Sequence, residues 1–211
     1  MIADELEQVK SQIINQFLPP ATIVKIIEKV IGEKYGLIFT SYAREYEDET
    51  LAVINGYFDP TEPNEPPNIE LVFVHHPNFT EGIEFDEDSW DGFSFRVDQV
   101  LQHEFIHKEQ YKNRGEILLI DPHYTDSIEY LEDPDEIEAH AHDIMLELLK
   151  YGHSFDEAII RLQDLKNITS KESLNLFSYL VYFSYNIKHS VFSPLIKRTI
   201  KYLEEKRDGK D

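Results

Sequence analysis

The chain has 211 residues, a formal net charge of −21 and no cysteine, and it contains 13 Phe and 12 Tyr. That much aromatic material supports a packed core and excludes a disordered chain, and no apolar run approaches the length of about 18 residues that a membrane span needs. An acidic surface of this size repels nucleic acid and anionic membranes and suits a basic partner, and without cysteine any zinc has to be held by histidine and carboxylate.

The first residues, Met1 to Glu5, lack the basic and apolar regions of a signal peptide. With the absent cysteines this places the chain, as an expectation, in the reducing cytoplasm. Leu6, Val9, Ile13, Ile14 and Phe17 predict an amphipathic helix over residues 4–18 that stops at Pro19-Pro20. Thr22 offers an N-cap for a second helix, buried through Ile23, Ile26, Ile27, Val30 and Ile31, with Gly36 just past its end.

Three strands follow at residues 37–42, 51–58 and 69–74, the last two separated by a proline-rich loop over 59–67. His75 and His76 close the third strand as surface residues, since neighbours on a strand point to opposite sides and both cannot face one metal. Residues 79–90 are acidic and irregular, with a short strand at 82–85, and Asp91-Gly92 forms a turn.

Phe93 to Lys112 then reads as one helix, and within it lies His103-Glu104-Phe105-Ile106-His107, an H-E-x-x-H pentapeptide. Histidines four residues apart project from the same helix face and can reach one metal ion, while Glu104, rotated by about 100° from His103, can hold a metal-bound water without being a ligand. A chain of this composition would contain about 0.05 such pentapeptides by chance. Val97, Val100, Leu101, Phe105 and Ile106 give the helix enough apolar surface to take the histidines out of bulk water.

After a break at Asn113-Arg114-Gly115 come an apolar segment over 116–120 and a loop over 121–126. His123 and Tyr124 of that loop, Tyr111 before it and His142 after it are the candidate transition-state donors. A strong helix start follows, with Asp133 at the N-cap, Pro134 at N1 and Glu136 at N3, where the Glu136 carboxylate can reach back as in a capping box. On a helical wheel the apolar set Ile137, Ala141, Ile144, Met145 and Leu148 defines the buried side; Glu138 lies about 75° from its centre and Glu136 about 125°. A catalytic zinc needs three protein ligands and an open position. No His or Asp follows His107 at the short spacing of a metzincin third ligand, which leaves Glu138 as the better inward-facing carboxylate. His142, one turn on, is a substrate contact, an orienting partner or a rival ligand, and His140 points to the surface.

The rest is helical: a capping-box start at Ser154-Phe155-Asp156-Glu157, an aromatic segment over 171–187 whose Phe177, Tyr179, Tyr182, Phe183 and Tyr185 read as core, and a last helix opened by Ser193-Pro194.

In these residues the chain resembles a gluzincin-type zinc metallopeptidase, and more narrowly the small phage-type H-E-x-x-H proteins, which pair a helix like His103 to Gln110 with a later segment like Pro134 to Ala141. The resemblance covers Val97 to Asp143. It implies zinc held by His103, His107 and a Glu of the second segment, with Glu104 as the catalytic acid/base. Four residues after Glu138, where thermolysin-like enzymes carry an Asp that orients a ligating His, stands His142.

The expected fold is α+β and zincin-like, a single domain with N-terminal helices and a small mostly antiparallel sheet in 1–95, metal-site helices in 96–151 and C-terminal helices in 152–211. The expected activity is hydrolysis of a peptide or protein substrate at zinc. The alternative is a zincin scaffold with little turnover that serves a phage as a structural or interaction protein.

Overall fold

The computed structural model describes residues 2–45, 52–60, 68–115 and 128–209. They form two compact units, 1–108 and 109–211.

In the first unit, α1 (Ala3–Ile13) buries Leu6, Val9 and Ile13. It ends earlier than the apolar spacing predicts because Asn15 takes a left-handed φ of 55°, and Phe17–Leu18 becomes a short strand, β1. The next helix, α2 (Pro20–Ile27), is capped by Pro19 with Pro20 at N1, so Thr22 lies inside it and is not its cap. A π-helical stretch, Glu28–Gly32, leads into the short α3 (Glu33–Tyr35), and Gly36 at φ 67° ends the run in the left-handed position that favours glycine.

Three strands form the main sheet, β2 (Leu37–Ala43), β3 (Ala52–Asp59) and β4 (Asn68–His75), in the order β2-β4-β3. The expectation of a mostly antiparallel sheet is corrected: β2 runs parallel to β4 and β3 antiparallel to it, so the sheet is mixed. The crossover that brings a later strand between two earlier ones is a long-range choice that local patterning does not encode. As the middle strand, β4 is covered on both faces, and Leu71 to Val74 are all buried. His75 shares that cover, at 5 % exposed, and is not the surface residue its place at a strand end suggested. A 3₁₀ turn, Pro77–Phe79, precedes β5 (Ile83–Glu84), which pairs antiparallel with β1.

The long helix α4 (Glu87–Asn113) begins well before Phe93. Asp86 is its cap: the Asp86 carboxylate accepts from the Ser89 N–H at 2.9 Å, and Ser89 Oγ accepts from the Asp86 N–H at 3.0 Å. The Asp91-Gly92 pair is therefore helical and not a turn, and Gly92 sits in open space. Phe73, Phe85, Trp90 and Phe93 pack their rings at 4.7 to 6.2 Å, fastening the start of α4 to β4 and β5.

The second unit holds α5 (Ile128–Glu132), α6 (Pro134–Tyr151), α7 (Phe155–Leu162), α8 (Leu174–Tyr182) and α9 (Phe192–Arg207). Its core runs from Leu131 to Leu203, with Ile144, Leu148, Leu176, Leu180 and Leu195 fully enclosed. The Ser154 capping box is present with both reciprocal bonds. Of the aromatic run, Tyr179 and Phe183 are core, whereas Tyr182 and Tyr185 are about half exposed, at 50 % and 51 %. No helix of the described residues is long and apolar enough to cross a membrane.

Candidate metal centre

In the first unit α4 brings His103 and His107 together as the four-residue spacing requires. Their Nε2 atoms are 3.1 Å apart, with ring centroids at 4.8 Å. His103 is 8 % exposed and Glu104 6 %. The Glu104 carboxylate lies against β3 at Gly56, where an added Cβ would stand 2.6 Å from Glu104 Oε1. Ile54 and Phe58, two residues either side of Gly56 and on its face of the strand, are buried, so this face packs on the helix and the missing side chain makes the space that Glu104 fills. Phe105 faces Tyr35 of α3, edge to face at 6.5 Å.

In the second unit the final turn of α4 meets the start of α6. Gln110 Nε2 donates to the Asp135 carbonyl at 3.1 Å, and the Arg114 guanidinium pairs with the Asp135 carboxylate. Asp133 is the N-cap of α6, as its sequence implies, accepting from the Asp135 N–H at 2.8 Å. Burial, added to by the neighbouring acids, pushes the Asp133 carboxyl above the ordinary carboxylate range even against those backbone N–H bonds. Glu136 does not close a capping box here. It belongs with His140 and Asp143, at i, i+4 and i+7 on one face of α6, with side chains 14 %, 14 % and 5 % exposed. His140 Nε2 is 3.9 Å from Glu136 Oε2, and its Nδ1 is 3.8 Å from Asp143 Oδ2. The rings of Tyr130 and Tyr179 stand edge-on to it. The surface position expected for His140 is therefore wrong: Tyr130, Tyr179 and Asn175 enclose it.

Glu138 is turned toward the last helix. It accepts from Tyr202 Oη at 3.0 Å and pairs with Arg198 at 3.2 Å. His142 follows it there, its ring edge-on to Tyr202 at 5.1 Å. Burial and the Glu138 carboxylate push the Tyr202 hydroxyl up from its ordinary value, which keeps it a donor. Of the candidate donors, Tyr111 is half-buried on α4, while His123 and Tyr124 lie outside the described residues. Asp143, Asn175 and Glu147 had no place among the residues expected at the site; the i, i+4, i+7 spacing from Glu136 was the signal for Asp143.

Among the described residues, buried His, Glu and Asp side chains are thus grouped closely enough to hold a metal ion. Comparison of the chain with protein-family models, with curated proteins and with solved structures finds no match.

Proposed function

We propose that the chain is a zinc-dependent metallopeptidase in which His103 and His107 hold one zinc ion, Glu136 is the third ligand that the resemblance asks of the second segment, and Glu104 moves the proton. The histidine pair carries this reading. Two nitrogens each about 2.0–2.1 Å from one zinc, and about 100° apart around it, are separated by about 3.1 Å, and the two Nε2 atoms are 3.1 Å apart. Glu136 is preferred to Glu138 because Glu138 already serves Tyr202 and Arg198.

Zinc, when bound, supplies Lewis acidity that polarises a carbonyl and brings the pKa of a coordinated water to about 7. In this reading Glu104, packed against Gly56, would take the proton of the attacking water and deliver it to the amine nitrogen as the C–N bond breaks, ending in the state in which it began. The net charge of −21 favours basic peptide segments as substrates.

A metal-free, hydrogen-bonded histidine pair would have a similar separation, so the deciding measurement is elemental analysis of wild type beside His107→Ala, Glu136→Ala and Glu138→Ala. One zinc per chain, lost with His107 or Glu136 and kept without Glu138, supports the centre as drawn. An absence of zinc from reconstituted wild type would remove it. Turnover of a peptide library, with Glu104→Gln as control, then tests the activity itself.

A further inference from the structure

The second unit carries a surface that the metal centre does not use. Residues 173–187 contain no charged side chain, in a chain of which 29 % is charged. Within them α8 buries Leu176, Tyr179 and Leu180 in the core and turns its opposite face outward. Leu174, Phe177, Ser178, Val181 and Tyr182, at i, i+3, i+4, i+7 and i+8, line up there as one stripe. Leu174, Val181 and Tyr182 are 54 %, 50 % and 50 % exposed.

The stripe continues past the end of the helix at a conformational cost. Ser184 and Tyr185 both take a left-handed φ, 49° and 57°, where glycine is the usual residue and a bulky side chain is strained. The Tyr185 N–H closes this turn on the Leu180 carbonyl at 2.7 Å. The Tyr185 ring, 51 % exposed, is thereby set edge-on to Phe177 at 6.4 Å. Glycine would make the same turn without strain; what tyrosine adds is exposed aromatic surface.

The charge around the stripe opposes the sign of the rest of the chain. From residue 165 to residue 203 the only acid is Glu172, which is paired with Arg161, against six lysines and arginines. Lys171 precedes the helix and Lys188 follows Tyr185, both exposed and neither with a carboxylate partner among the described residues. The adjacent His189 engages Glu132 at 3.6 Å. An anionic membrane would attract these lysines, but its whole plane would repel a chain of net charge −21. A nucleic acid needs Lys or Arg along the contact itself, and the stripe has neither. Two copies joined across this face would bring like-charged rims together. A single acidic helix touches the stripe and its two ends and little else.

We propose that the outer face of α8 docks an amphipathic helix of another protein, with apolar residues at i, i+3, i+4 and i+7 against the stripe and acidic residues toward Lys171 and Lys188. Tyr182 and Tyr185 are the anchors, since large rigid rings bury much area for little conformational entropy. The surface is independent of the metal centre.

Fluorescence anisotropy on the full chain tests this with a labelled synthetic helix that carries leucine at that spacing and glutamate elsewhere, beside a control with lysine in place of glutamate. Wild type should bind the glutamate helix, less tightly as salt rises. Val181→Glu, and separately Lys171→Glu with Lys188→Glu, should each weaken that binding about tenfold or more. The lysine helix, attracted to the acidic chain at large, should not weaken in Val181→Glu. Tyr185→Gly should lose affinity for the glutamate helix while melting no lower than wild type, because the left-handed turn is kept; circular dichroism follows the melting. No binding of the glutamate helix by wild type, or binding unchanged in Val181→Glu and Tyr185→Gly, would overturn the proposal. Val181-dependent binding to phosphatidylglycerol vesicles, or a Val181-dependent dimer in sedimentation, would overturn it equally by giving the stripe another occupant.

Discussion

Replacing Gly56 by alanine tests the placement of Glu104 without assuming any metal. The new Cβ would meet Val100 Cγ1 at 2.6 Å, Glu104 Oε1 at 2.6 Å and Glu104 Cγ at 2.7 Å. These distances are well inside the optimal carbon–carbon separation of about 3.5–4.0 Å. The carboxylate tip of Glu104 can swing, but Val100 is 7 % exposed and branched at Cβ, and Glu104 Cγ is held close to the helix backbone. Either β3 or α4 must therefore shift. Overpacking of this kind costs about 1–3 kcal/mol. Urea denaturation should show that loss as a lower midpoint with an unchanged slope. The metal reading predicts a second, separable effect: hydrolysis falls more steeply than zinc content, because the displaced group is the proton carrier and both ligating histidines stay on the helix. Wild-type stability in Gly56→Ala would refute the packing of β3 on Glu104, and parallel loss of metal and activity would refute the separation of roles.

Glu104→Gln should leave stability and zinc content close to wild type and lower peptide hydrolysis by about 10²–10⁴-fold, the usual contribution of a general acid–base, read as kcat/KM on the best library substrate. Glu138→Ala should cost about 1 kcal/mol in denaturation, because it leaves the half-buried Tyr202 hydroxyl without its acceptor, and should not change zinc content. The buried Glu172 carboxyl is held down to about 2, first by the Arg161 guanidinium and then by the Thr169 hydroxyl and N–H. Its folded pKa lies below the unfolded one, so the stability it contributes is complete above about pH 4.5 and is lost as pH falls toward 2. Because Arg161 is partly exposed, we expect about 2 kcal/mol, less than the full linkage value. Glu172→Gln should abolish that part of the acid dependence between pH 5 and pH 2, and equal acid dependence in variant and wild type would count against the pair.

Local patterning carried most of the fold. The three sheet strands, the helix bearing the histidines, the Asp133 and Ser154 starts and the Gly36 stop all follow from period, caps and left-handed positions within a few residues of one another. The errors came where one local signal outvoted another. Asp-Gly ordinarily marks a turn, yet the Asp86–Ser89 cap upstream had already started the helix, and an exposed glycine inside it costs only about 1 kcal/mol. The direction of β2 and the burial of His75 share a different cause. Both depend on β4 entering between β2 and β3, which is decided by the whole sheet and not by any one strand.

The site divides along the same line. Two histidines on one helix need only the period of that helix, and their meeting was legible from five residues. The carboxylate was harder, because the wheel answers which residue faces the apolar core. Glu138 does face packed protein, and what it meets there is Tyr202 and Arg198 of the last helix. In the proposed centre the ligand stands at the flank of the apolar stripe instead, where a polar pocket can form without exposing the core. Glu136, His140 and Asp143 occupy that flank at i, i+4 and i+7, and Asn175, far away in the chain, turns the central histidine. An acidic helix bearing four carboxylates within its first ten residues offers several such stripes at once. The choice among them falls to the residues that pack against each side, Tyr202 and Arg198 on one and Asn175 and Tyr179 on the other. This makes Glu138→Ala and Glu136→Ala the informative pair: each removes a carboxylate from the same two turns of α6, and only the second should take the metal with it.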